Sequence, residues 1–578
     1  MLRFTVLVLL VFALWVGTVR TIDSVVFVNA RIVTLDKANS IAQAMLIVDG
    51  RIEAIGSYDQ VKPLITSKVR VVDMQLQTIL PGFVDAHSHF PASGLKRVAV
   101  DLSSPPTGTV DSIAGLLARI ENATKQTNER DWLLGFNYDN TLFSNGQHPT
   151  RQLLDAVAPN HAVYLWHHSG HMGVANSIAL QRFDIDKNKH APVGGVIEKD
   201  SVTGELTGLL QETAAPVLAD IVGTFGWYRQ FQVLTEARNT YLAAGVTTVQ
   251  NGYAQRNMIW LLKLANVLGL VPQRVVVWPA STHAKQTSNA GGRPHRFNSP
   301  DTNGLSVASN VALKQKPKTV QFRRGAIKIL VDGSPQGQTA YLSKPYKTHN
   351  NRPPGYRGFP LIPQAELNAV VMHYHSHGFQ LALHGNGDEA IEKIIVAVSL
   401  AQRELPRADA RHILVHAQTI REDQLRRLRA IDLHPSFFVS HTFYWGDWHR
   451  LTTLGADRAA NISPAAWADV YGLRYTLHSD APVTPINPLH LVWSASTRQT
   501  RSGYVLGPQQ RISVERALRA ITIDAAWQNH LDSWVGSLES GKRADFIVLD
   551  GDPLSVNDVR SISVRATYID GVARYRRK

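Results

Sequence analysis

The chain has 578 residues, with 60 Lys+Arg against 46 Asp+Glu, a formal charge of +14 with its 23 histidines neutral, and no cysteine. Zero cysteine excludes disulfide scaffolds, thiolate zinc sites, iron–sulfur ligation and cysteine nucleophiles, so a transition metal would have to be held by His, Asp, Glu or a modified Lys. The 44% hydrophobic content excludes intrinsic disorder, and the scattered basic residues read as solvated surface, with no nucleic-acid partner.

At the N-terminus Arg3 precedes an uncharged run, FTVLVLLVFALWVGTV (4–19), that Arg20 ends. A spanning helix needs about 20 apolar residues, so residues 1–21 read as an export signal that sends the protein to the periplasm or outside the cell. The cleavage signal is poor, and an uncleaved N-terminal membrane anchor is the alternative. From Ser24 the pattern is β, in SVVFVNARIVTLD, AMLIVDGRIEAIG and VRVVDMQLQTILPG, and the same texture returns in ADFIVLDGD and VRATYIDGVARY. The two terminal segments are expected to complete one sheet; two unrelated hairpins are the alternative.

Between them the period changes. Short apolar strands recur at ILPGFVDAHSH (79–89), GVTTVQ (245–250), QRVVVWPA (273–280), AIKILVDG (326–333), QLALHG (380–385), HILVHA (412–417), HPSFFVS (434–440) and YTLHSDAPV (475–483). Most follow an amphipathic helix, and eight such units predict an α/β fold, a (β/α)8 TIM-type barrel. A doubly wound open sheet is the runner-up, since strand order in sequence does not show closure. Residues 91–228 are expected to form an insertion after the first strand, with a hairpin turning at Thr203-Gly204 and an interior of Trp132, Phe136, Tyr138 and Trp166. The Gly/Ser/Asn-rich stretch 286–310 reads as a loop after the third strand.

A His-x-His pair on a strand puts both imidazoles on one face, but about one such pair is expected by chance at this histidine content. Position separates His87/His89 from the His373, His375 and His377 run. Functional groups of a β/α barrel lie at the C-terminal ends of its strands. His373, His375 and His377 end the helix feeding the fifth strand, at the opposite face, and are read as structural. His87 and His89 end the first strand, His384 the fifth, His416 the sixth and Asp480 the eighth, whereas His412 starts the sixth; Lys328 lies in the fourth. Imidazole and carboxylate ligands without sulfur suit Zn2+, with Mn2+ or Fe2+ as alternatives.

With these residues in place the sequence resembles the amidohydrolase superfamily, in its branch of YtcJ-like and N-substituted formamide deformylase-like proteins (the amidohydrolase 3 family). The resemblance rests on LPGFVDAHSHF (80–90), NSIAL (176–180), TGLLQETA (207–214), AGVTTV (244–249), IKILVDGS (327–334), HGNGDEAI (384–391), HAQ (416–418), SDAPV (479–483) and VGSLESGKRADFIVLDGDPL (535–554) in this order. It implies a barrel over 79–530 flanked by a small β-sandwich from both termini (22–78 and 531–578). It also implies one or two divalent ions: His87, His89 and Asp480 on the first, His384 and His416 on the second, and Lys328, N6-carboxylated, as bridge. An unmodified Lys328 paired with a carboxylate is the alternative. Three stretches depart from the family pattern: His478 stands where relatives commonly have Gly, Val415 replaces a frequent Glu, and SPQGQTA (334–340) replaces SLGSRTA.

The implied activity is hydrolysis of a non-peptide C–N bond in a linear or cyclic amide. A metal-activated water attacks, and Asp480 serves as general acid/base. His171 and His441 are candidates for substrate contact or oxyanion support, and the aromatics Phe443, Tyr444, Trp445 and Trp448 suggest an apolar substituent. Deamination of a heterocycle on the same centre, or a non-catalytic binding or regulatory role, are the alternatives. The expected partner is a small-molecule amide, with a membrane only if the N-terminal segment is retained; a homo-oligomer stays open.

Overall fold

The computed structural model describes residues 24–144, 146–216, 218–281, 321–347 and 353–577. The expected export segment (1–21) and the loop over 286–310 lie outside the described residues. No helix among the described residues is long and apolar enough to cross a membrane.

Two sheets carry the terminal segments. In one, Val25–Val28 pairs antiparallel with Ala44–Val48 and parallel with Arg70–Asp73, and Arg51–Gly56 forms the edge. In the other, Thr78–Pro81 lies between Arg31–Val33 and Phe546–Leu549, with Val564–Ile569 and Val572–Arg576 beyond. Alternate residues of these strands point between the sheets, where Phe27 meets Phe546 edge-on at 5.1 Å and Phe546 stacks on Tyr568 at 4.4 Å. Residues 78–81, read from sequence as the opening of the first barrel strand, thus pair with the C-terminal end of the chain.

The middle of the chain supplies short parallel strands: β1 (Phe83–Val84), β2 (Val246–Ala254), β3 (Arg274–Pro279), β4 (Ile327–Leu330), β5 (Leu381–Gly385), β6 (His412–His416), β7 (Leu433–Phe437) and β8 (Thr476–Leu477). β1, β2 and β3 pair in sequence order, as do β4 through β8. A further strand, Phe322–Arg324, pairs with β3, and a single bridge joins Ala280 to Lys328. Residues 322–330 therefore run along β3 as one strand broken near Gly325, where a Cβ would lie 2.9 Å from the Trp278 ring. Beyond β8 and β1, Asp480 N–H donates to His87 O (3.1 Å) and His89 N–H to Ala481 O (2.7 Å). Helices Trp227–Ala243, Arg256–Val267, Gln364–Ser376, Asp388–Glu404 and Glu422–Leu428 precede β2, β3, β5, β6 and β7. The architecture is mixed α/β.

Period-two alternation sorts the strand side chains. Leu383 and Leu414 pack with the helices, whereas Ala382, Ile413, Val415, Val276 and Trp278 form a separate apolar cluster. The helix-borne His375 is spent on packing: its Nδ1 meets His412 Nε2 at 2.9 Å and its Nε2 meets Leu405 O at 2.8 Å.

The stretch after β1 builds a six-stranded sheet in the order Gly195–Lys199, Leu206–Glu212, Met172–Ala175, Ala162–His167, Trp132–Tyr138, Val100–Asp101. The first two are a hairpin whose turn holds Gly204 at φ +71°, a conformation glycine adopts without steric cost. Phe136 and Trp166 stack at 5.3 Å. The terminal sheet is tied to β3 by Arg274, which is 1% exposed and donates to both carboxylate oxygens of Asp545 and to Asp570, each at 2.8 Å.

Candidate metal centre

The strand ends converge. His87 and His89 follow β1, Lys328 lies in β4, His384 in β5 and His416 at the end of β6, and Asp480 follows β8. Asp480 Oδ1 lies 3.4 Å from His87 Nε2 and 3.1 Å from His89 Nε2. Lys328 Nζ is 3.0 Å from His87 Nε2, and His416 Nε2 is 3.1 Å from His384 Nδ1. His87, His416 and Asp480 form the tightest set, and the one group among the described residues whose donor atoms could share a metal ion. His89, Lys328 and His384 join it through those pairwise contacts.

His416 reaches this cluster by a backbone distortion. Alternation from Leu414 would send it outward toward the helices, but its φ is +75°, in the left-handed region, and its ring sits beside His384 at 4.5 Å. Asp480 is also left-handed, at φ +52°. Such conformations cost roughly 1–3 kcal/mol each and persist where surrounding structure holds them.

The protonation states suit metal donors. Burial drives His87, His384 and His416 well below the ordinary histidine range, so all three rings are neutral and carry a lone pair. Burial alone would raise the Asp480 carboxyl. The His89 ring beside it prevails, holding it well below the carboxylate range and ionised. Burial brings Lys328 down to about 7.

Hydrogen bonds fix which nitrogens face inward. Ser88 N–H donates to Gln250 Oε1 (2.8 Å), which marks that atom as the acceptor; His87 Nδ1, 3.2 Å away, therefore carries its ring proton and leaves Nε2 bare. His384 Nε2 is occupied by Gly333 O (3.2 Å) and the Asn386 amide (3.0 Å), leaving Nδ1 toward His416. Asp480 Oδ1 is buried and receives no properly directed hydrogen bond despite two imidazoles within 3.4 Å. This donor set supports a divalent metal.

The six-stranded sheet also approaches the cluster. Glu212 N–H donates to His171 O, and His171 Nδ1 lies 2.8 Å from Glu212 Oε2, with its ring 5.1 Å from His384. Burial pulls the His171 pKa down, but Glu212 outweighs it and the net shift is upward. Glu212 Oε1 is buried without a hydrogen-bond partner.

His441 does not reach the cluster. Its Nδ1 pairs with His449 Nε2 (3.1 Å), and its ring lies 4.5 Å from Phe438, which stacks on His478. Of the aromatics, Trp445 donates to Asp139 and Trp448 to Gln336 O. Phe443 and Tyr444 instead pack on His490, away from the ligand cluster.

Sequence reasoning missed Glu212, Gln250 and the contacts of His478. Glu212 ends a strand, and the strand-end rule applied to the insertion would have found it; Gln250 lies inside the β2 pattern and carries no signal of its own.

The amidohydrolase family pattern matches residues 70–575. The chain belongs to the amidohydrolase family. It is 30% identical over 557 residues to the N-substituted formamide deformylase of Arthrobacter pascens, covering 95% of this chain and 98% of that one. It is 28% identical over 546 residues to the YtcJ amidohydrolase of Bacillus subtilis (strain 168), covering 92% and 96%. A solved metal-dependent hydrolase from Pyrococcus horikoshii OT3 shares the fold at a TM-score of 0.69 and 21% identity, over 93% of this chain and 99% of that one. This amidohydrolase is a hydrolase acting on C–N bonds.

Proposed function

We propose that this amidohydrolase cleaves the non-peptide C–N bond of a small amide, with an N-substituted formamide as the leading substrate class, at a zinc centre held by His87, His89, Lys328, His384, His416 and Asp480. The convergence of neutral imidazole nitrogens on an ionised carboxylate with an unpartnered buried oxygen carries the reading. The likeness to a formamide deformylase over nearly the whole of both chains supports the substrate class.

A divalent ion held by these residues would supply a water of lowered pKa and a Lewis acid for the scissile carbonyl. Asp480 takes a proton from the attacking water and returns it to the leaving nitrogen. His171, held by Glu212, offers a positively charged ring to the carbonyl oxygen as it becomes anionic. His441 shapes the wall behind Phe438. Lys328, its pKa near 7, supplies a neutral amine for carboxylation. The Nζ lone pair bonds to the carbon of CO2, one C=O π pair becomes an anionic oxygen and a nitrogen proton leaves to water. The carbamate then offers two anionic oxygens where the amine offered one nitrogen.

The same reading closes β1 to β8 into a (β/α)8 barrel through the backbone bonds between Asp480 and His87 and between His89 and Ala481. It makes 22–78 with 531–578 a composite β-sandwich and places the 91–228 insertion over the mouth. The 1–21 segment puts the activity in the periplasm or outside the cell.

Metal analysis of the wild type and of His87→Ala, Lys328→Ala and Asp480→Asn tests the centre, beside a panel of N-substituted formamides, cyclic amides and amino-heterocycles. Stoichiometric zinc in the wild type, lost in His87→Ala, with formamide cleavage, is the expected outcome. A wild type without stoichiometric metal refutes the reading, and ammonia release from heterocycles alone moves the substrate to the deaminase class.

A further inference from the structure

Behind His416 runs a line of buried polar side chains linked by hydrogen bonds, of which His478 also meets the His87 ring edge-on at 5.3 Å. His416 Nδ1 is 3.1 Å from His478 Nε2, and His478 Nδ1 is 2.9 Å from Ser436 Oγ. The Thr476 hydroxyl is 2.7 Å from both Ser436 Oγ and Gln528 Oε1. At the far end Gln528 Nε2 donates to Ala86 O (2.8 Å). All five side chains are buried, Gln528 at 3% exposure being as open as any.

Counting protons along this line leaves one arrangement. Ala86 O can only accept, so it orients the Gln528 amide with Oε1 toward Thr476. Oε1 can only accept as well, and takes the single Thr476 hydroxyl proton. Ser436 must then give its own proton to Thr476 Oγ1, and its remaining lone pair accepts from His478 Nδ1–H. A neutral His478 protonated at Nδ1 has a bare Nε2, which accepts from His416 Nδ1–H. His416 is left with its lone pair on Nε2, the nitrogen that faces His384.

We propose that Gln528, Thr476, Ser436 and His478 act as a one-directional hydrogen-bond relay that holds His416 in the tautomer whose Nε2 can take the metal. The proposal rests on the metal reading above and assigns these four as positioning residues. It makes metal affinity depend on Gln528, at the end of helix Ile523–Gln528, which touches neither the ion nor a ligand. His87 is set by the shorter version of the same device, through Gln250.

The relay has a directional signature. In Thr476→Val the Ser436 proton loses its acceptor and turns to His478 Nδ1. His478 then carries its proton on Nε2 and donates to His416 Nδ1, which forces the His416 proton onto Nε2. Gln528→Met frees the Thr476 proton and starts the same reversal one residue further out. Thr476→Ser keeps the hydroxyl and restores the native order.

Nitrogen-15 NMR of histidine-labelled, metal-free full-length protein, with His416→Gln to assign the signal, reads the tautomer directly. The expected result is Nδ1–H at His416 in the wild type and Thr476→Ser, and Nε2–H in Thr476→Val and Gln528→Met. Chelator competition should show zinc binding about 10–100-fold weaker in the last two. An unchanged His416 tautomer in whichever of those two variants folds overturns the proposal, whatever the metal content. A wild type with the expected tautomer that takes up no zinc overturns the metal reading and leaves the relay standing.

Discussion

A single methyl group placed at Gly252 should disable the site without replacing a proposed ligand. Gly252 lies in β2, and a Cβ there would fall 2.0 Å from His87 Cε1 and 2.2 Å from His87 Nδ1. Carbon–carbon contacts settle near 3.5–4.0 Å, so the ring must retreat by about 1.5 Å. It has nowhere to go: His87 is fully buried and stacked on Trp278 at 5.1 Å with the planes 11° apart. The shift breaks the 3.2 Å contact to Gln250 and carries Nε2 away from Asp480. Overpacking of this kind costs about 1–3 kcal/mol of stability, which a fold of this size tolerates. A displacement above 1 Å at a reacting centre costs about 100-fold in rate. Gly252→Ala should therefore remain folded by circular dichroism, bind zinc at least 10-fold more weakly by chelator competition, and lose about 100-fold in kcat/KM on the formamide. Gly223→Ala, where an added Cβ meets nothing within 4 Å, is the control and should match the wild type. Full zinc occupancy at wild-type affinity in Gly252→Ala would show that His87 Nε2 is not a ligand.

Two further outcomes follow from the charges. Because Glu212 raises the His171 pKa, activity that needs the protonated ring is lost as pH rises through that raised value; Glu212→Gln removes the support, so the alkaline limb of the kcat profile should move to lower pH with kcat reduced. A limb that stays in place excludes His171 as the charged group. Arg274→Met leaves the buried Asp545 without its cation and should cost about 3–5 kcal/mol; urea unfolding of Arg274→Met, Asp545→Asn and the double variant should show the double variant recovering part of that loss, and strict additivity would refute the pairing.

Much of this arrangement is legible in the letters. Strand-end position grouped His87, His384, His416 and Asp480 and set His375 and His412 apart, and the structure brings the first group together and pairs the second elsewhere. What the letters hide depends on crossings. Period-two reasoning points His416 outward with Leu414, and only the left-handed turn at His416 reverses it. Gln250 and Glu212 matter because a neighbouring strand presents His87 or His171 to them, which no local pattern encodes. The run ILPGFV reads as one strand, yet Thr78–Pro81 and Phe83–Val84 belong to different sheets, because Phe546–Leu549 competes for the first half.

That competition sets a timetable for biosynthesis. Thr78–Pro81 cannot find its partner at Phe546–Leu549 until the chain is nearly complete. At about 5–20 residues per second of synthesis, the wait is roughly 20–90 s. Throughout it the early strands expose unpaired edges, and the buried Arg274 has no counter-charge, since Asp545 and Asp570 are not yet made. The delay has a second consequence. The polypeptide remains threadable until its last segment emerges, and the pairing that locks it comes last.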